Sequence, residues 1–183
     1  MEKFIEVFDN ILPKTLEDSY EKDLISHSYP FHYGTNITYG NSLSNTKYSP
    51  CFTVPLYENF TNTYIKCNPN YFNQVLYYLG FKLEINILNI LKTKVLLQIP
   101  SINQTQDDIH IDMNGPHWVC LYYINDSDGD TVLFDEKGEK EIKRVTPKKG
   151  RIVFFNGKIP HCSNPPSKTH RAIINFNFIG EKL

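Results

Sequence analysis

Two hydrophobic rhythms divide this chain near residue 94. Before it, apolar residues recur at helical spacing or sit as islands in polar text; after it, they come in short runs broken by turn residues. The start, Phe4-Ile5-Glu6-Val7-Phe8, alternates like a strand, and Pro13 then opens a polar helix carrying Leu16, Tyr20 and Leu24 on one face. Residues 27–62 are dense in Tyr, Asn, Ser, Thr, Gly and Pro, with islands such as Phe52-Thr53-Val54, which predicts loops with edge strands. Asn68-Pro69 reads as a cap and first turn. Residues 71–91 keep a helical spacing interrupted near Gly80, which predicts one kinked helix or two consecutive ones, packed on a sheet.

From Lys94 the apolar runs cover residues 95–99, 109–111, 118–124, 131–134, 142–145, 152–155 and 172–178. Their length and spacing predict antiparallel strands, with Asp128-Gly129, Lys137-Gly138 and Asn156-Gly157 as hairpin turns. The expected class is α+β: N-terminal helices packed on one sheet of a β-core of sandwich, barrel or jelly-roll type. A length of 183 residues suits a single domain over 1–183, with strand, helices and irregular rim in 1–93 and the β-core in 94–183.

Composition narrows the function classes. A formal charge of -1 supplies no basic field, so nucleic-acid binding is not favoured. The densest basic spot, Lys148-Lys149 with Arg151, reads as a solvated turn before a strand. No apolar run approaches bilayer length, and no membrane partner is expected. Cys51, Cys67, Cys120 and Cys162 lack the close pairing of a zinc module, and no apolar leader opens the chain, so a reduced, cytoplasmic setting is expected. In that setting the glycosylation patterns at Asn36 and Asn125 are chance matches. Cys120 reads as core; Cys162, next to a candidate ligand, reads as oxidation-sensitive. No feature fixes an oligomeric state.

The chemistry gathers around His110-Ile111-Asp112. Residues two apart on a strand share a face, so imidazole and carboxylate point into one cavity. His161, expected at the end of the strand and hairpin that follow Arg151, is the candidate third ligand. Two imidazoles and a carboxylate suit Fe(II), because three adjacent positions stay open for a chelating cosubstrate and dioxygen. Arg171, ten residues on, offers a bidentate fork to a dicarboxylic acid. Zinc would accept the same side chains, but no general base for hydrolysis is evident. The acidic turn 126–130 fails as a calcium loop, since its register would make Ile124 the first ligand. His117, without a carboxylate two residues on, and His170, beside Arg171 but facing the other way, read as structural.

Taken in order, His110-Ile111-Asp112, Cys120-Leu121-Tyr122-Tyr123-Ile124-Asn125, residues 129–134, Lys149-Gly150-Arg151-Ile152-Val153-Phe154-Phe155, His161 and Arg171 resemble the prolyl 4-hydroxylase-like branch of the 2-oxoglutarate/Fe(II)-dependent dioxygenases. The last run, 171–178, is most similar to versions encoded by bacteriophages, marine ones above all; the first hundred residues resemble the family only in outline. The resemblance implies a double-stranded β-helix, Fe(II) and 2-oxoglutarate as cofactors, ascorbate as a reductant, and hydroxylation of a protein or peptide, proline favoured, with release of succinate and CO2. It implies that Arg171 grips the distal carboxylate of 2-oxoglutarate and that Tyr123 donates to the same group. With Asp112 in place, the pattern is that of a hydroxylase and not of a halogenase. Asn175 and Asn177 share the inward face with Arg171 and are candidates for touching cosubstrate or substrate; Gln98 is a weaker one. Asn177 stands where prolyl-peptide enzymes of the family often carry Trp, and Pro116-His117 where they carry a basic residue. The loop at 101–108 and the stretch 27–62 are the expected rims of the substrate groove. The rival readings are the same iron chemistry on a nucleobase or small molecule, and a metal-stabilised β-sandwich binding module without activity.

Overall fold

The computed structural model describes residues 4–26, 28–35, 50–58, 69–102 and 105–182. Among them run β1 (Ile5–Phe8), α1 (Lys14–Leu24), β2 (His32–Gly34), β3 (Cys51–Glu58), α2 (Pro69–Phe72), α3 (Gln74–Leu83), β4 (Ile85–Gln98), β5 (Trp118–Tyr123), β6 (Thr131–Phe134), β7 (Glu141–Val145), β8 (Ile152–Asn156), β9 (His161–Ser163) and β10 (Arg171–Lys182). The strands form a seven-stranded sheet in the order β1-β8-β5-β10-β4-β3-β2 and a three-stranded sheet in the order β7-β6-β9, with every pairing antiparallel. This is the double-stranded β-helix architecture of an α+β protein.

The period-two alternation of β10 explains the layering. Ala172, Ile174, Phe176 and Phe178 point to one face, where they meet Tyr20 and Leu24 of α1 and Phe72, Val75, Leu76 and Leu79 of α2 and α3. Ile173 points to the other face, into a second cluster with Leu96, Leu121, Tyr123 and Val153, closed by Leu133 and Val145 of the small sheet. Each large side chain buried this way contributes about 1.5–3 kcal/mol relative to exposure. The helices therefore cover one side of the large sheet, and the functional side chains lie between the two sheets.

Residues 71–91 correct the helical expectation. Glu84 enters the left-handed region at φ 55°, its N–H bonding Gly80 O, and the helix stops there. Beyond it, Ile85-Asn86-Ile87 alternates in burial, and β4 pairs with β10 along its whole length. Local apolar spacing fits both states, and the β-branched isoleucines together with the pairing partner decide for strand. The run 109–111 is also not a strand: only His110 makes a ladder contact, an isolated bridge to His161. His161 itself belongs to a separate short strand, β9, in the small sheet.

Of the three expected hairpin turns, only Lys137-Gly138 joins paired strands, β6 and β7, with Gly138 at φ 72°. Asp128-Gly129 and Asn156-Gly157 instead carry the chain from the large sheet to the small one. Asp128 is used internally, accepting from the Ser167 hydroxyl and from the backbone N–H groups of Ser167, Lys168 and Thr169. The basic spot is the turn before β8 that the sequence predicts, and its charges are paired. Lys149 pairs with Asp18 and Glu21, and Arg151 and Lys148 pair with Asp9, which tethers α1 and the end of β1 to β8.

Of the stretch 27–62, β2 lies at the sheet edge and β3 is an inner strand between β2 and β4; residues 27, 36–49 and 59–62 lie outside the described residues, as do Cys67 and Asn68. No described helix is long and apolar enough to cross a membrane.

Candidate metal centre and adjoining cavity

Backbone pairing creates the site. His110 N–H donates to His161 O and His161 N–H to His110 O, at 3.0 and 2.9 Å. Two residues that exchange both hydrogen bonds of an antiparallel bridge sit directly opposite each other, with side chains on the same side. Their rings accordingly lie 4.6 Å apart, centroid to centroid. Each Nδ1 is tied to a backbone carbonyl two residues earlier, His110 to Asp108 O at 3.0 Å and His161 to Ile159 O at 3.1 Å. An Nδ1–H held this way leaves Nε2 as a lone-pair donor aimed forward, the ring state a metal ligand requires.

Asp112 completes the set. Its two oxygens lie 3.8 Å from His110 Nε2 and 3.8 Å from His161 Nε2, and one ligand atom from each residue falls within 4.8 Å of the others. The strand argument for His-x-Asp reached the correct convergence by a different local route, since Asp112 lies in a bend after the bridge. Burial, then the neighbouring His161, bring the His110 pKa down to about 4 against a weaker pull from Asp112, so this imidazole is neutral at pH 7. For Asp112 burial acts upward, but both histidines, the Asn175 amide and Lys92 outweigh it and hold the carboxyl below its ordinary range. A neutral imidazole, a second one with its Nδ1 occupied and a carboxylate are a donor set that Fe(II) fits, and among the described residues no other group of this kind occurs.

The ligands open onto a cavity of about 110 Å3 lined by His110, Asp112, His161, Thr131, Arg171 and Asn175, with Leu96 and Ile173 on its floor and Lys92 and Lys94 also on its wall. Its far end is Arg171, which is buried. Arg171 Nη1 donates to Gln98 Oε1 at 2.9 Å and Nη2 to Thr131 Oγ1 at 2.7 Å, both neutral acceptors; Nε has no partner among the described residues. Gln98 cannot flip, because its amide nitrogen donates to Asp107 Oδ2 at 3.1 Å, a carboxylate that also accepts from Ser163. Gly129 makes room for this arrangement: a Cβ there would lie 3.0 Å from Arg171 Cδ and 2.9 Å from Asn164 O. A buried guanidinium facing a cavity with only neutral oxygens at hand fits an anionic ligand.

The other predicted residues fall into distinct places. The Tyr123 hydroxyl does not line the cavity; it donates to Thr131 Oγ1 at 2.6 Å, and burial raises its pKa so that it stays protonated. Thr131 thus accepts from both Tyr123 and Arg171, and its own proton is left for a group in the cavity. Asn175 Nδ2 donates to Asp112 Oδ2 at 3.0 Å, and Asn177 Nδ2 donates to Asn175 Oδ1 at 3.0 Å, forming an amide chain that ends on the metal ligand. His117 and His170 stand outside the cavity lining. Cys162 lines the cavity, but burial pushes its thiol up to about 11 and its sulfur accepts from Gln106, which opposes the reactivity expected of it.

Sequence reading missed Thr131, Lys92 and Lys94. Counting back by twos from Gln98 gives Leu96, Lys94 and Lys92, a signal hidden because residues 71–91 were expected to be helical and the strand to begin at 95.

The family model described as the 2OG-Fe(II) oxygenase superfamily matches residues 97–179. No curated protein matches the chain. Among solved structures, a prolyl hydroxylase from Trichoplax adhaerens, in complex with a hypoxia inducible factor oxygen degradation domain peptide fragment, superposes with a TM-score of 0.66 at 18% identity, covering 95% of this chain and 83% of that one. A Pseudomonas putida prolyl-4-hydroxylase gives 0.62 at 13%, covering 96% and 92%. The non-heme alpha ketoglutarate dependent carbocyclase SnoK from nogalamycin biosynthesis gives 0.65 at 11%, covering 97% and 79%. These likenesses establish the fold. The segment that is similar to that superfamily carries the converging histidines and aspartate, and its donor set fits Fe(II) and 2-oxoglutarate as cofactors.

Proposed function

We propose that the protein hydroxylates a protein or peptide substrate, with proline the favoured residue, releasing succinate and CO2. The observation that carries the peptide reading is the continuation of the cavity-side face beyond the cavity. Leu96 pairs with Thr53 of β3, and Thr53 with the exposed His32 of β2, so the wall extends outward as a shelf on which an extended chain can lie. The likeness in fold to two prolyl hydroxylases supports proline as the target, and the wording of residues 171–178 supports a phage-encoded origin.

Each residue has a role in this reading. His110, Asp112 and His161 hold Fe(II). Arg171 clamps the distal carboxylate of 2-oxoglutarate, its guanidinium fixed by Gln98 and Thr131. Thr131 donates its remaining proton to the same carboxylate, and Tyr123 supports Thr131 from behind without reaching the ligand itself. Asn175, steadied by Asn177, holds one oxygen of Asp112, so that carboxylate orientation and not cosubstrate contact is the function of the amide pair. When bound, Fe(II) and 2-oxoglutarate supply the oxidising chemistry that delivers one atom of dioxygen to the substrate and the other to succinate.

The test is incubation with Fe(II), 2-oxoglutarate, ascorbate and proline-containing peptides, with succinate and an added oxygen on the peptide as readouts. His110→Ala and His161→Ala are expected to abolish both. Undiminished succinate formation in either variant would end the assignment, and oxygen added only to other residues would remove proline.

A further inference from the structure

The neighbours of Arg171 differ in how firmly they set its direction. A hydroxyl such as that of Thr131, at Nη2, can donate or accept, and the Tyr123 ring, 5.6 Å from the guanidinium carbon, supplies no hydrogen-bond direction. Gln98, at Nη1, carries an acceptor on one side of its amide and donors on the other. Turned one way it holds the guanidinium; turned the other way it sets N–H against N–H. The quality of the anchor therefore depends on what orients this amide.

The orienting group is Asp107. Its Oδ2 accepts from Gln98 Nε2 at 3.1 Å and from the Ser163 hydroxyl. A carboxylate accepts and does not donate, so both hydrogens must point toward it. One direction then holds along the whole chain: Ser163 and Gln98 donate to Asp107, and Arg171 donates to the remaining Gln98 oxygen. All four side chains are buried, but only Arg171 and Ser163 line the cavity; Gln98 and Asp107 stand behind it. Asp107 is itself held in place, its backbone N–H donating to Ser163 O at 2.9 Å, three residues before His110 makes its bridge to His161. The pairing with β9 that brings the histidines together thus also sets the carboxylate that reaches the end of β4.

Resting on the reading of Arg171 as the clamp for the distal carboxylate of 2-oxoglutarate, we propose that Asp107 is a positioning residue that makes the site selective for dicarboxylic keto acids. It acts through Gln98: by keeping the amide oxygen on Nη1, it holds the guanidinium at the far end of the cavity. Without it the amide turns, the Nη1 bond is lost, and the advantage of a second carboxylate on the ligand falls. The keto-acid end of the ligand belongs to the metal and is not served by this chain.

The experiment measures, by calorimetry on the protein loaded with Mn(II), the affinities of 2-oxoglutarate and of 2-oxopentanoate, which has a methyl group in place of the distal carboxylate. The unaltered protein is expected to favour 2-oxoglutarate by on the order of a hundredfold. Asp107→Leu, of similar size but with no acceptor, lowers this ratio about tenfold, through weaker 2-oxoglutarate binding at constant 2-oxopentanoate affinity. Asp107→Ala replaces it if the leucine variant does not fold, with the same loss expected. Asp107→Asn keeps an oxygen that accepts from Gln98 and Ser163 and holds the ratio within about threefold of the original. Gln98→Met reproduces the loss, and combining it with the Asp107 substitution loses no more than either alone. An undiminished ratio without the Asp107 acceptor, an equal loss for both ligands, an asparagine variant as impaired as the leucine one, or additive losses in the double variant overturns the proposal. Equal binding of the two ligands by the unaltered protein would instead remove the clamp assigned to Arg171, and this role of Asp107 with it.

Discussion

The two faces of β10 obey different rules. On the helix side, Ala172, Ile174, Phe176 and Phe178 are held by apolar contact alone, and neighbouring side chains can shift to share a change in volume. On the cavity side, Arg171 donates to Gln98 and Thr131, Asn175 to Asp112 and Asn177 to Asn175, and a substitution removes specific partners. Stability is concentrated on the first face and chemistry on the second, one residue apart along the same strand. Changes to the helix face should therefore move the folding midpoint, and changes to the cavity face should move ligand affinities with little effect on folding.

The largest effect expected from breaking this division is on the helix side. Phe176→Ala should cost about 3–5 kcal/mol of stability, read by denaturant unfolding, because the ring is completely buried and its space cannot fully collapse. A loss below about 1 kcal/mol would show that this face carries no special share of the core. Next comes the anchor. Arg171→Ala should raise the 2-oxoglutarate requirement by about a hundredfold, the scale of a lost charge-assisted pair of about 1.5–3 kcal/mol, with metal affinity nearly unchanged. An unaltered 2-oxoglutarate titration would detach Arg171 from the cosubstrate. The smallest effect is the sharpest on the comparison. Asn175→Ala should weaken Mn(II) binding by about 10–100-fold, as loss of a partner to a ligating carboxylate does, while the 2-oxoglutarate affinity of the metal-saturated protein changes little. If 2-oxoglutarate affinity falls instead, Asn175 touches the cosubstrate and the amide-chain role is wrong.

How much of this was legible depended on whether the signal was local. His110 and Asp112, two residues apart, carry a weak signal alone, and it is their order with His161 and Arg171 that points to one site. How the ligands converge was not legible, because the isolated bridge to His161 is a long-range backbone event. Most of the β-core runs were readable from their length, but 109–111 is no strand and two of the three turns cross between sheets instead of closing hairpins. Residues 85–91 were not readable as strand, since isoleucines and leucines there satisfy a helical spacing as well as an alternating one, and β10 decides between them. Lys92 and Lys94 were hidden by the same ambiguity: lysines on a strand that the sequence did not announce read as surface. Thr131 carries no signal of its own, a threonine in a strand being unremarkable until Tyr123 and Arg171 both reach it.

The mutual backbone hydrogen bonds of His110 and His161 join a segment with no strand of its own to a strand of three residues. An ion held by both imidazoles would cross-link the same two segments that the peptide groups already link. Metal occupancy and the integrity of this junction are then a single equilibrium: opening the bridge separates the ligands, and a bound ion resists the opening. The small sheet, of three strands, would gain from the ion a brace at its margin, so that the protein would be most firmly closed when it is ready to react.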